Sequence, residues 1–374
     1  MKIRTLIVCL LCALLLIGCG KGDAAQAVEP APSQIAVGQA SLPEATPQGQ
    51  QKLVIAAATK SATEPPVTKA PTPEPTPEPT PEPTATPAPK LGVLDGKFAD
   101  KFVTGEPVLI DTAETKSYQT ETLAIFITHV VDDSKILTNH TYQYYMADVY
   151  FQNMEDLRSC AAKSWNWEER YKHDWLKNIA KSQDAIFAVS GDFTLNRKTG
   201  LIIRNGEEIK GKNGSTHQHD PQRDVGVIYR DGHMETYFAK SVPAEEILND
   251  PNVWQVLGFG PALLDENGQP LTTFNDPNKV SRANIRNAVG YFEPGHYCFV
   301  YVPPYLGPKD KKPEDDSCIE LEGLSKLMYS LGCVRAYNLD GGATAGMYFN
   351  GKQVIGGSLG QGRKNHDIYY IPQS

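Results

Sequence analysis

Between residues 71 and 89 the chain reads PTPEPTPEPTPEPTATPAP, and no packed fold can run through such a stretch. Proline falls at nearly every second position and glutamate recurs every fourth. Each proline ring fixes its own φ and biases the preceding residue toward an extended form. The run is therefore expected to be a polyproline-like spacer of roughly 3.1 Å per residue. A ligand for a proline-binding module has the same composition, but outside a cell a stalk is the better reading. Residues 20–70 are rich in Ala, Gln, Thr, Pro and Ser and nearly free of aromatics, too poor in apolar bulk to offset the entropy of ordering. Any core must be built from residues C-terminal to the proline run.

The N-terminus has a different character. Lys2 and Arg4 precede an uncharged apolar run from Thr5 to Ile17, the layout of a secretory signal. The run is shorter than the about 20 apolar residues that a spanning helix needs. It ends in Leu16-Ile17-Gly18-Cys19, which resembles the lipobox of bacterial lipoproteins. That resemblance implies cleavage before Cys19 and a diacylglycerol on its thiol, a stable membrane anchor. The weaker reading is a plain secretory signal with an incidental cysteine. The expected organisation is a signal peptide over 1–18, a lipidated, disordered proline-rich stalk over 19–90 and one large domain over 91–374, held outside the cytoplasm at the membrane surface.

From Leu91 onward about 280 residues have globular composition, enough for one large domain. The net charge of −8 carries no basic block, so nucleic acid is not an expected partner. Cys160, Cys298, Cys318 and Cys333 show no CxxC or Cys/His metal spacing. Cys318 and Cys333 flank a predicted helix and are too far apart to bond to each other. Most of the four read as small buried hydrophobes, with one disulfide permitted.

Strand composition appears at Thr122–Val131, Tyr144–Phe151, Ala185–Val189, Leu201–Arg204, Asp224–Tyr229, His233–Phe238, Ala288–Tyr291, His296–Val302, Arg335–Leu339, Gly346–Phe349 and Asp367–Ile371. Asn205-Gly206 and Asp231-Gly232 are hairpin-turn signals. Helical spacing of apolar residues is expected over Glu155–Lys181 and over Ile319–Leu331, the latter closed by Gly332. Strands outnumber helices, and hairpins alternate with helical connections, so the class is α+β with mixed β-sheets and flanking helices.

Three segments set polar residues at the end of an apolar strand, mostly beside glycine: Ser190-Gly191-Asp192, Arg286-Asn287-Ala288 and Asn338-Leu339-Asp340-Gly341-Gly342. A strand end fixes a side chain while the adjoining loop stays open to a ligand. Taken singly, each is also an ordinary turn. His217 and His219, with Asp220, have a spacing that suits a metal at a loop edge, but no third or fourth ligand is identifiable and an exposed loop is the plainer reading. His366 reads as structural.

The segments AIFAVSGDF, LIIRNGEE, RDVGVIYRDGHMETY, WQVLGFGPALLDENG, NIRNAVG and LSKLMYSLGCVRAYNLDGGATAGMYFNGK, in that order and spacing, resemble the phosphodiester glycosidase family. The likeness covers roughly Thr122 to Ile371, and the last segment is the most specific. The family's animal member removes N-acetylglucosamine from a phosphodiester. The resemblance implies a hydrolase acting on a sugar 1-phosphodiester, with Asp340, Asp192 and Arg286 as catalytic residues. It implies substrate contacts from Ser190, Gly191, Arg204, Asn338, Gly341, Gly342 and Thr344; no cofactor is expected, no metal-ligating residue is identified, and a metal requirement is left open. The chemistry is self-consistent. Breaking the sugar–oxygen bond needs carboxylates near an oxocarbenium-like centre, and the departing phosphate monoester needs cations and N–H donors.

The chain also departs from the family pattern. Ser190 stands for the usual Asn and Asn287 for the usual Thr, Gly-Gly-Ala-Thr-Ala replaces Gly-Gly-Gly-Ser-Ser, and Pro303-Pro304 replaces an Asp-Gly-Arg corner. Two functions are expected from this balance: a surface-anchored hydrolase of cell-wall or extracellular glycans, or a glycan-binding lipoprotein that has lost turnover. The sugar, the aglycone and the oligomeric state are not specified by the sequence.

Overall fold

Several strands of this chain are apolar on both faces, and that property alone dictates layers. In the computed structural model, which describes residues 96–193, 200–215, 220–277, 279–305, 307, 318–355 and 362–374, strand β13 (His296–Val302) shows the principle. Its side chains alternate between faces: Tyr297, Phe299 and Tyr301 enter one core, while Cys298, Val300 and Val302 enter another.

The first core lies between two sheets. One has seven strands in the order β1 (Val108–Asp111), β2 (Lys116–Gln119), β3 (Leu123–Asp132), β4 (Tyr142–Phe151), β13, β12 (Arg286–Glu293) and β14 (Arg335–Asn338). The other has five, in the order β16 (Lys352–Gln353), β15 (Met347–Phe349), β6 (Ala185–Ser190), β17 (Asp367–Pro372) and β5 (Arg158–Ala161). Leu123, Ile125, Val149 and Phe299 from the first sheet meet Phe187, Val189, Met347 and Ile371 from the second. Phe187 and Phe299 face each other with ring centroids 5.4 Å apart, a contact worth about 0.5–1.5 kcal/mol beyond its area.

Each sheet carries a helix on its outer face. Helix α3 (Leu321–Ser330) buries Leu321, Leu324, Leu327 and Met328 against the second face of the seven-stranded sheet. These recur at the three- and four-residue spacings of one helical face. Gly332, at φ +91°, ends α3 as its sequence suggests. Helix α1 (Leu176–Ser182) lays Leu176, Ile179 and Ala180 on the five-stranded sheet. A smaller sheet of β10 (Met234–Tyr237), β9 (Val225–Tyr229) and β11 (Val253–Leu257) packs at one end of the central core, with helix α2 (Ala244–Asn249) beside it. A two-stranded hairpin, β7 (Ile203–Arg204) with β8 (Glu207–Glu208), turns on Asn205 and Gly206, both at positive φ as its sequence predicts.

The α+β class stands. Strand direction is more uniform than the expectation of mixed sheets, because every pairing between these strands is antiparallel. The predicted helix over Glu155–Lys181 is a correction. Only its last turns are α1. Arg158–Ala161 is instead a strand on the edge of β17, and Asn153 and Asn166 each cap a short 3-10 turn. The open edge of β17 offers main-chain partners that outweigh a weak local helical pattern. The signal, Cys19 and the proline run lie outside the described residues, and no helix among the described residues is long and apolar enough to cross a membrane.

Candidate active site

Three of the sequence-predicted segments meet where β6, β12 and β14 reach the same side of the sandwich. Main-chain hydrogen bonds stitch them together. The Asp340 N–H donates to the Gly191 carbonyl at 2.9 Å, Leu339 N–H to Asn287 at 2.9 Å, and Gly342 N–H to Ile285 at 2.7 Å. The first of these crosses from one sheet to the other. Glycine is required at two of the contact points. A Cβ on Gly191 would lie 2.5 Å from the Asp367 carboxylate, and one on Gly341 would lie 2.7 Å from the Ile285 carbonyl.

Above this junction is an open cleft of about 460 Å³. Arg286 and Asp340 line it together with Gly341 and Gly342. Asp340 is 6% exposed and reaches the cleft from the end of β14. Arg286 is 2% exposed and largely committed to its surroundings. Its Nε donates to Ile319 at 3.3 Å, and one terminal nitrogen donates to the carbonyls of Val280 at 2.6 Å and Arg282. Burial lowers its pKa to about 10, against the raising effect of Asp276 and neighbouring anionic groups. It therefore carries its charge at neutral pH and forms part of the cleft floor. The proline corner lies next to it: Val302, which precedes Pro303-Pro304, is the register partner of Arg286. The Pro304 carbonyl accepts from Gln143 at 2.7 Å.

Asp192 is placed differently from Asp340. It is 1% exposed and sits beneath the cleft. Its carboxylate accepts from Arg204 at 2.9 Å, from the N–H groups of Gly258 at 2.8 Å and Phe259 at 3.3 Å, and from the Tyr369 hydroxyl at 3.1 Å. Arg204, the other member of the pair, has a fully buried side chain; it also donates to the carbonyls of Ile203 at 3.1 Å and Val256 and lies 3.8 Å from Asp367. Asp367 in turn accepts the Asp192 N–H at 3.0 Å and lies 3.3 Å from His366 Nδ1. Burial alone would raise the Asp367 carboxyl. His366, the Arg204 charge and the Asp192 N–H outweigh it and hold the group well below the usual carboxylate range.

The remaining predicted residues brace the junction. Ser190 Oγ donates to the Thr344 carbonyl at 2.6 Å, and Thr344 Oγ1 donates to the Gly341 carbonyl at 2.7 Å. Asn338 Nδ2 donates to Gly260 at 2.8 Å. Ser190, Asn338 and Thr344 are 0% exposed and hold the backbone that shapes the cleft from below. His217 and His219 lie outside the described residues. Among the described residues, no cluster of three or more His, Cys, Asp or Glu side chains is arranged to hold a metal ion.

Sequence reading missed several lining residues, among them Arg223, Arg363, Phe193 and Phe259. Arg223 is paired with Asp220 at 3.0 Å on one wall, and Arg363 is exposed. A signal existed for each arginine. Arg223 closely precedes the strand beginning at Val225, and Arg363 ends a glycine-rich run, both typical positions for ligand contact. The two phenylalanines gave no signal beyond hydrophobicity. Arg223, Arg286 and Arg363 against one lining carboxylate make the cleft suited to an anion.

The family model for phosphodiester glycosidases matches residues 183–371. That span is half of the chain and contains every residue named as lining the cleft, and the chain belongs to that family. No curated protein matches the chain. Among solved structures, it is similar to the zebrafish N-acetylglucosamine-1-phosphodiester alpha-N-acetylglucosaminidase catalytic domain auto-inhibited by its pro-peptide, with 18% identity over 73% of this chain and 89% of that one and a TM-score of 0.48. A hypothetical protein from Synechocystis is 14% identical over 70% of this chain and 64% of that one, with a TM-score of 0.48.

The buried cluster yields a pH prediction. Asp367 has a folded pKa below its unfolded value, so its contribution to stability is complete above the ordinary carboxylate value of about 3.9 and is lost as pH falls below it. Urea unfolding of Asp367→Asn should show a large loss at neutral pH, on the order of 3–5 kcal/mol for a broken buried pair. The gap to wild type should narrow steadily as pH falls below about 4. A gap that stays constant with pH would show that Asp367 is not ionised in the fold.

Proposed function

We propose that this protein hydrolyses a sugar 1-phosphodiester, with the phosphate held by Arg223, Arg286 and Arg363 and the anomeric carbon set against Asp340. The observation that carries the reading is one open cleft lined, among the described residues, by three arginines and a single carboxylate. Phe193 and Phe259 offer aromatic surface for the apolar face of a sugar ring. The bond between the anomeric carbon and the phosphate oxygen breaks as positive charge builds on the sugar, and the Asp340 carboxylate opposes that charge. Asp340 then takes a proton from the water that attacks the anomeric carbon. The products are the free sugar and a phosphate monoester. The monoester leaves as a stable anion onto the arginines, which removes the need for a strong general acid. In this reading Asp192 acts on the reaction only through the backbone it holds.

The location belongs to the same proposal. The signal, Cys19 and the proline run would tether the domain to the outer face of a membrane, within reach of cell-wall or extracellular glycans. A second reading, a glycan-binding protein without turnover, is favoured by the proline corner beside Arg286, where family members carry Asp-Gly-Arg.

Incubation with a synthetic N-acetylglucosamine 1-phosphodiester should release free sugar. Asp340→Asn should lower kcat by roughly 10²–10⁴-fold, and Arg363→Ala should act chiefly on KM with a stability change within about 0.5 kcal/mol. Binding of the diester without any release would favour the second reading, and no binding would remove both. For the anchor, Cys19→Ala should move the protein from the membrane fraction to the soluble fraction on cell lysis; unchanged membrane association would contradict lipidation at Cys19.

A further inference from the structure

The sulfurs of Cys298 and Cys333 lie 3.6 Å apart in the core between β13 and α3, though the residues are 35 positions apart in sequence. A glycine makes the meeting possible. Gly290 on β12 is the register partner of Cys298, and a Cβ there would lie 2.5 Å from Cys333 Sγ and 2.8 Å from Cys298 Sγ. The two thiols therefore reach across a bare stretch of the strand between them. Cys298 is 0% and Cys333 3% exposed. The separation is that of unbonded sulfurs in contact, and a shift of roughly 0.8 Å by each would bring them to the covalent distance of about 2.05 Å. Cys160 packs in a different core, on the outer face of the five-stranded sheet.

We propose that Cys298 and Cys333 form a disulfide that staples β13 to the segment entering β14, the strand that delivers Asp340 to the cleft. The oxidant is an external disulfide, either a small molecule or a thiol–disulfide oxidoreductase. One protein thiolate attacks a sulfur of that disulfide and displaces a thiolate. The second protein thiolate then attacks the mixed disulfide and displaces the other. The two protons lost by the protein thiols are taken up by the displaced thiolates by way of water, the protein loses two electrons, and the external disulfide is reduced to two thiols. In the folded core, the Cys333 contact and burial hold the Cys298 thiol protonated. The exchange consequently belongs to the folding chain, before α3 covers this face of the sheet.

The test is to reduce and unfold the full chain, refold it in a mixture of reduced and oxidised glutathione, alkylate it without reduction and map its peptides. The expected result is a cross-linked pair of peptides containing Cys298 and Cys333, with Cys160 and Cys318 alkylated. The urea midpoint of the refolded protein should fall when reductant is added, and that sensitivity should vanish in Cys333→Ala. Recovery of Cys298 and Cys333 as alkylated thiols or joined to other sulfurs would overturn the proposal, as would a midpoint indifferent to reductant in the wild-type chain. The peptide map decides even if the variant fails to fold.

Discussion

The cleft depends on an arginine that never reaches it. Arg204 is sealed in the protein between Asp192 at 2.9 Å and Asp367 at 3.8 Å. A guanidinium in that position is tolerable only with its charge opposed and its N–H groups matched to acceptors. Asp192 and Asp367 supply the charge, and the carbonyls of Ile203 and Val256 add acceptors. In return Gly191 and Asp192, which directly follow β6, are held by hydrogen bonds to Asp367, Arg204 and Gly258. Asp367 approaches so closely that only glycine fits at position 191, and the carbonyl of that glycine receives the N–H of Asp340. The position of the acid in the cleft is thus inherited from a buried ion cluster one layer down.

This arrangement divides the charges of the region by role. Below, two carboxylates oppose the charge of one buried guanidinium. Above, one carboxylate and three arginines face an open cleft with a surplus of positive charge. Charges fixed in a low-dielectric floor oppose an anion without reorganising when it arrives, which is what favours a departing phosphate. Arg286 belongs to both layers: part of its guanidinium anchors the main chain around Val280 and Ile319, and it also lines the cleft.

Much of this was legible in the sequence, and for physical reasons. A fully apolar run announced β6, because a strand covered on both sides favours such a composition, and strand-forming composition about the Pro294-Gly295 turn announced β13 and most of β12. Asn205-Gly206 and Gly332 marked a turn and a helix end, because few residues accept positive φ. Asp340 and Arg286 announced themselves as polar groups at strand ends. Other features rest on distant partners. Arg158–Ala161 is a strand only because β17 leaves an edge open beside it. Asp192 has the same local signature as Asp340, an acid beside glycine at a strand end; its burial is decided by Arg204, Gly258 and Tyr369, the last of them 177 positions away. Arg363 lines the cleft beside Ala343 and Asp340, neighbours 20 or more positions away that the glycine-rich run before it does not specify.

One spatial relation stands at the centre of this picture: an anionic sugar meets Asp340, Arg286 and their arginine neighbours, while Asp192 stays paired beneath. The most direct measurement is a crystal structure with a non-hydrolysable N-acetylglucosamine 1-phosphonate. The expected density places the phosphonate on Arg223, Arg286 and Arg363 and the anomeric carbon beside the Asp340 carboxylate, with Asp192 still bound to Arg204. A phosphonate seated elsewhere, or an Asp192 carboxylate released from Arg204 to touch the sugar, would contradict it.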